Sequence, residues 1–184
     1  MRRLINFLTA SAMTFVLVAC SAPSLNGLPK SSRVKLDGVE GVWYSDDIVV
    51  HVKSKRDRLY SVHMVGAHAP LQLSFTRIDG WYIADSALDK SHLDNVDPLL
   101  VMYTIPVHRF ARIRLDGDTL RFSELKDGWV TSQATARHGG IARSGGDPIL
   151  KGDEQQLLAL FRAALEDEDA WDSETVFTRV HRED

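Results

Sequence analysis

The sequence predicts a mainly β protein: an antiparallel meander of about eight strands forming a small barrel or strongly curled sheet, with one C-terminal α-helix (about 153–166) and a final strand. Three observations lead there. From residue 48 onward, apolar residues alternate with period two through most of the chain. Asp-Gly pairs punctuate the alternating runs. One stretch alone, late in the chain, repeats its apolar residues at clear helical spacing behind a capping signal.

The first element is not part of that fold. Arg2 and Arg3 precede Leu4–Ala19, which carries no charge and is almost purely apolar from Ala12. About 16 uncharged residues fall short of the ~20 that a spanning helix needs. A basic start, a short apolar segment and a small residue before a cut are the marks of a secretory signal peptide, here residues 1–19. Residues 20–34 read as a flexible tether, because "SAPSLNGLPKSS" (21–32) is rich in Ser, Pro and Gly. Fully extended, those twelve residues would span at most about 40 Å. Residues 35–184 then form a single β-rich domain of ordinary size.

Within it, Ile48, Val50 and Val52 share a strand face, with Val49, His51 and Lys53 opposite. Tyr60, Val62 and Met64 repeat the pattern, as do Leu71, Leu73 and Phe75. An even register across "SKRDR" (54–58) sets residue 52 against 60 and 50 against 62, so both apolar sets share one side. Ala111, Ile113 and Leu115 alternate with Phe110, Arg112 and Arg114, and Leu120 and Phe122 follow. "IDGW" (78–81), "LDGDT" (115–119) and "KDGW" (126–129) supply hairpin signals. Pro106 cannot donate to a ladder, so a bulge or corner is expected there. The helix, in "GDEQQLLALFRAALEDED", puts Leu157, Leu158, Phe161, Ala164 and Leu165 on a face that packs against the sheet. Asp153 and Gln156 imitate a capping box at its start. "ETVFTRV" (174–180) reads as the closing strand.

Charge and cysteine content narrow the functions. Lys and Arg number 22 against 25 acids, a formal charge of −3, and losing Arg2 and Arg3 with the leader makes the product more acidic. That argues against nucleic acid, which wants a basic face, and against an electrostatic grip on anionic lipid. Cys20 is the single cysteine, so no intramolecular disulfide forms. A domain of this size is held by its core instead.

Leu17-Val18-Ala19-Cys20 resembles the lipobox of bacterial lipoproteins. The resemblance implies a diacylglyceryl group on the Cys20 sulfur, cleavage before that residue and acylation of the new amine. Two or more acyl chains anchor stably where one does not. Ser21 at the next position implies the outer membrane, on its periplasmic side. The residues alone also admit an ordinary cleaved signal with a chance Cys, or a buried thiol in a retained helix. Gly41-Val42-Trp43 is similar to the Gly-x-Trp that opens lipocalin barrels. In that family an Arg of the last strand lies over the Trp, which implies Arg179 here, although in this chain the helix precedes that strand. Such a cation–π contact contributes about 0.5–2 kcal/mol.

No nucleophile elbow, zinc-protease helix, phosphate loop or paired-Cys spacing is present. Hence no catalytic residue, metal or cofactor is expected. His63 and His68 flank a turn, and His51 falls diagonally near His63; without an acid beside them they read as a solvated polar face. "ARHGGIARSGGDP" (136–148) reads as a long excursion between sheet and helix, with a mobile lid or anion nest as the functional alternative. Among the aromatics Trp43, Tyr44, Trp81, Tyr82, Tyr103 and Phe110, the candidate ligand contacts are Trp43, Tyr44, Trp81 and Tyr103, joined by Arg179. The expectation is therefore a periplasm-facing, lipid-anchored binding or scaffold lipoprotein. Its partners are the membrane through the N-terminal lipid, a lipid or small apolar ligand, or an envelope protein. The alternative is an envelope hydrolase using the 136–148 loop with His138.

Overall fold

A computed structural model describes residues 23–67, 69–89, 107–136, 141–144 and 147–181. Seven strands run in an antiparallel meander: β2 (Gly41–Ser45), β3 (Ile48–Ser54), β4 (Leu59–Met64), β5 (Leu71–Ile78), β6 (Trp81–Leu88), β7 (His108–Asp116) and β8 (Thr119–Glu124). The last strand, β11 (Thr175–Arg179), pairs with β8 on one side and β2 on the other, which closes an eight-stranded barrel. A short β1 (Arg33–Val34) pairs with β5 at Phe75 and Thr76, just beyond the point where β4 begins. Closure removes the sheet edges that an open meander would leave unpaired.

The turns explain the registers. Ser45 faces Ile48, Ile78 faces Trp81 and Asp116 faces Thr119, each across a two-residue loop. Asp46 (φ 48°), Asp79 (φ 47°), Gly80 (φ 89°) and Gly117 (φ 56°) supply the left-handed backbone that such hairpins need. The β3–β4 hairpin corrects the expected register: Val52 faces Val62 and Val50 faces Met64. Asp57 and Arg58 both have positive φ, which tightens the connector and lets β3 pair as far as Ser54. A slip of two residues keeps every side chain on its face, so the expected core side survives. His51 and His63 become direct opposites rather than diagonal neighbours.

Two apolar clusters lie on the two sides of the barrel wall. Inside are Leu36, Val39, Trp43, Val52, Tyr60, Phe75, Ala84, Ile113 and Phe177. Outside, Ile78, Ile83 and Phe110 pack beneath Leu157, Leu160, Phe161 and Ala164 of the helix α2 (Glu154–Leu165). Phe110 meets Phe161 edge-on at 5.0 Å between centroids. The capping box holds: Asp153 accepts from the Gln156 amide at 2.9 Å, and the Gln156 side chain accepts from the Asp153 amide at 2.8 Å. Covering the wall from outside buries Arg112, which alternation alone assigns to solvent. Its guanidinium lies 4.6 Å from the Trp81 ring and 5.0 Å from the Trp171 ring, paired with Glu168 at 3.2 Å.

Three segments depart from the sequence reading. "KDGW" opens a second helix, α1 (Asp127–Ala136), instead of a hairpin. Trp129 donates to Asp167 at 2.8 Å and Lys126 to the Ala170 carbonyl at 2.9 Å, so tertiary partners override the turn signal. In the 136–148 excursion, β9 (Ile141–Ser144) pairs with β10 (Asp147–Leu150). Pro106, His68 and Arg137–Gly140 lie outside the described residues.

The third departure is the tether. Residues 23–34 are bound along the outer wall as a strap. Ser24 exchanges two 2.8 Å backbone bonds with His108, Leu25 donates to Leu150, and the Leu150 amide donates to Pro23. Leu28 and Pro29 are buried. The strap passes Asp85, reaches Thr76 through Ser32 at 3.1 Å, becomes β1, and then turns under the barrel. Ser-Pro-Gly composition marks an irregular path, and here backbone bonding to the wall fixes that path.

Asp85 clamps this strap. Its carboxylate, 4% exposed, accepts from His108 Nδ1 at 2.6 Å and from the Leu28 amide at 2.9 Å. Gly27 runs so close that a Cβ there would sit 2.6–2.7 Å from the His108 ring and Asp85 Oδ2. Asp85→Ala leaves a buried amide without its acceptor, a loss of about 1–3 kcal/mol. The expected result is early proteolytic cleavage within 23–29 and fast exchange at the Leu28 amide. Unchanged protection at Leu28 would show that the clamp does not hold the strap.

Candidate functional site

The two ends of the barrel differ. At one end, residues 35–40 fold under the strands as a floor. Tyr60 Oη accepts from the Leu36 amide at 3.1 Å and donates to the Leu36 carbonyl at 3.4 Å, while its ring meets Phe75 edge-on at 5.3 Å. Trp43 is wholly buried and donates through Nε1 to the Val39 carbonyl at 2.8 Å. The Arg179 guanidinium carbon stands 4.3 Å from the Trp43 ring centroid. Arg179 also donates to the carbonyls of Glu40 (2.6 Å) and Gly38, and pairs with Asp118 at 3.0 Å. In the same segment Lys35 donates to Asp37 at 2.7 Å, and that bond raises its pKa. The floor is shut by groups whose polar atoms are already bonded to protein.

At the other end the inward-facing residues are not fully buried. Ile48 and Val50 of β3, Val62 of β4 and Leu73 of β5 belong to the interior cluster yet are only half-buried. By alternation Met64 and Leu71 extend that apolar wall toward the rim, and Ser86, Arg109 and Glu124 reach the rim on the opposite wall. An eight-stranded barrel is just wide enough to be filled by side chains or to hold one small ligand. Here the floor end is plugged by residues 35–40, and half-buried members of the interior cluster occur toward both ends: Ile48, Val50, Val62 and Leu73 at the mouth, Tyr82, Leu115 and Leu120 toward the floor.

Of the residues singled out as ligand contacts, the four described ones do not gather in one place. Trp43 and Arg179 form the floor clasp. Tyr44 points away from the interior and is 48% exposed. Trp81 lies on the outer wall against Arg112. Tyr103 and Cys20 lie outside the described residues. The mouth residues were legible in the sequence as core strands, but alternation cannot distinguish a filled from an open stretch. Leu36 and Val39 show only as two apolar residues ahead of Gly41, and Asp85 only as an acid inside an otherwise uncharged strand.

A hollow of about 250 Å³ lies outside the barrel on β3 and β4, lined by His51, Lys53, Ser61, His63, Met64 and Val65. Among the described residues no three or more His, Cys, Asp or Glu side chains gather as a metal site. The Asp85–His108 pair resembles part of a hydrolytic triad, but its second carboxylate oxygen is engaged by the strap amide. None of the described helices is long and apolar enough to cross a membrane. Comparisons with family models, curated proteins and solved structures find no match to this chain.

Proposed function

We propose that the chain is a lipid-anchored binding lipoprotein of a bacterial envelope, whose barrel faces the periplasm from the outer membrane and takes a lipid or small apolar ligand at its mouth. The observation that carries the binding half is the closed eight-stranded barrel itself, whose interior cluster includes half-buried Ile48, Val50, Val62 and Leu73 toward the mouth. Covering the part of those aliphatic groups that still meets water is favourable, and an apolar ligand at the mouth would do so. The anchoring half rests on the resemblance of Leu17–Cys20 to a lipobox and on the lack of charge from Leu4 to Ala19. A scaffold role toward an envelope protein uses the same anchor.

Native mass spectrometry of the protein purified from its own host tests the ligand. The expected spectrum carries an adduct of lipid mass. Val62→Trp, which fills the mouth, lowers its occupancy several-fold while the barrel still folds. Repeated recovery of an empty barrel would remove the ligand-binding reading.

A further inference from the structure

We infer that the barrel stands mouth-down on the bilayer that anchors it, so that its ligand enters from the lipid rather than from the aqueous compartment. Resting on the acylated Cys20 proposed above, this deepens that reading by naming the membrane as the face the mouth meets. The strap is what decides it. Ser24 is already bonded through both its amide and its carbonyl to His108, the first residue of β7, at the mouth end. Only four Cα–Cα steps separate Cys20 from Ser24, so the leash reaches at most about 14 Å. Had residues 21–32 been free, it would have been about 40 Å, long enough for the barrel to tumble. The floor lies at the far end of the strands from Ser24, beyond the length of β6 or β7.

The mouth rim is suited to that contact on one side. Leaving β4 toward β5, Val65 is 68% exposed and is followed by Gly66 and Ala67, both exposed and uncharged. Leu25 of the strap, 40% exposed, lies beside the leash exit. The acidic turn Asp46–Asp47 is at the same end but joins β2 to β3, half the barrel's circumference away from the β6–β7 side where the strap enters. A barrel held at β7 therefore brings the uncharged Val65–Ala67 turn nearer to lipid than the acidic Asp46–Asp47 turn. The half-buried aliphatic wall of β3 to β5 then opens toward acyl chains, and transfer of an apolar molecule avoids a passage through water.

The test uses the full lipidated chain in phosphatidylcholine vesicles carrying a nitroxide on a fraction of the headgroups. Val65→Cys marks the mouth rim and Asp37→Cys marks the exposed floor segment. Since the Cys20 sulfur is acylated, each variant offers one thiol to a fluorophore. The expected result is quenching several-fold stronger at 65 than at 37. Inserting ten Gly and Ser residues after Ser21 should erase most of that difference while leaving the melting temperature unchanged. Equal quenching in protein that floats with the vesicles would overturn the orientation and leave the anchor standing. Protein that does not float, or whose mass shows no acyl groups, would overturn both.

Discussion

Trp43→Ala is expected to remove about 4 kcal/mol of stability, read as a shift in denaturant midpoint without a change in slope. Full truncation of a buried Trp typically costs about 3–5 kcal/mol through lost transfer free energy and the cavity left behind. Three features put this residue in the upper half of that range. Its ring is wholly inaccessible, its Nε1 is bonded to the Val39 carbonyl, and it carries the Arg179 guanidinium at 4.3 Å. The floor segment would lose its central contact, and Leu36 and Val39 would lose the surface they pack on. Since a domain's total stability is about 5–15 kcal/mol, this single change brings the protein close to unfolding at physiological temperature. Arg179→Ala should cost less, about 1–2 kcal/mol, because the Glu40 and Gly38 carbonyls it serves are near solvent and can be rehydrated. The double variant isolates the cation–π coupling, expected at about 1 kcal/mol. A cost below about 1.5 kcal/mol for Trp43→Ala would mean that the floor is not a packed plug.

The same residues show how far the sequence could be read. Period-two alternation located five of the eight barrel strands, β3, β4, β5, β7 and β8, with "ETVFTRV" adding β11, because a strand that faces a core on one side must alternate. Only the Gly-Val-Trp tripeptide and the "IDGW" turn touch β2 and β6. Asp-Gly pairs at 79–80 and 116–117 fall in true hairpins, since positive φ is a local requirement met by local residues. The same dipeptide at 127–128 begins a helix, because bonds from Trp129 to Asp167 and from Lys126 to Ala170 are made with residues some forty positions away. No local pattern announces such partners. The strap failed for a related reason: its composition is that of a linker, and its order comes from the β7 and β10 backbone and from Asp85. Phe110, which alternates with the inward Ala111 and Ile113, is buried all the same because a helix far along the chain covers the outer face. The mouth was beyond reach altogether, since Val50 in a filled barrel and Val50 in an open one have the same neighbours in sequence.

Cys20→Ala separates the anchor from the fold, and its expected effect on location is the largest of any single change. Each buried methylene contributes about 0.8 kcal/mol of membrane affinity, so a sixteen-carbon chain is worth on the order of 12 kcal/mol. Two or three such chains make release negligible. Removing the sulfur removes the attachment point, and the acidic barrel has no compensating attraction for an anionic surface. Labelled palmitate should not be incorporated, and the product should appear either as uncleaved precursor or as soluble protein, never as a mature membrane form. The barrel itself should melt at the same temperature as the anchored protein, because the described contacts of the chain begin at Pro23 and Ser24. That pairing of outcomes is what makes the experiment decisive. Undiminished palmitate labelling of the variant, or a mature wild-type N-terminus at any residue other than 20, would rule out the acyl anchor. A lowered melting temperature with labelling lost would instead mean that the acylated residue 20 itself supports the fold, and the order of the strap would not stand on the Asp85 clamp alone.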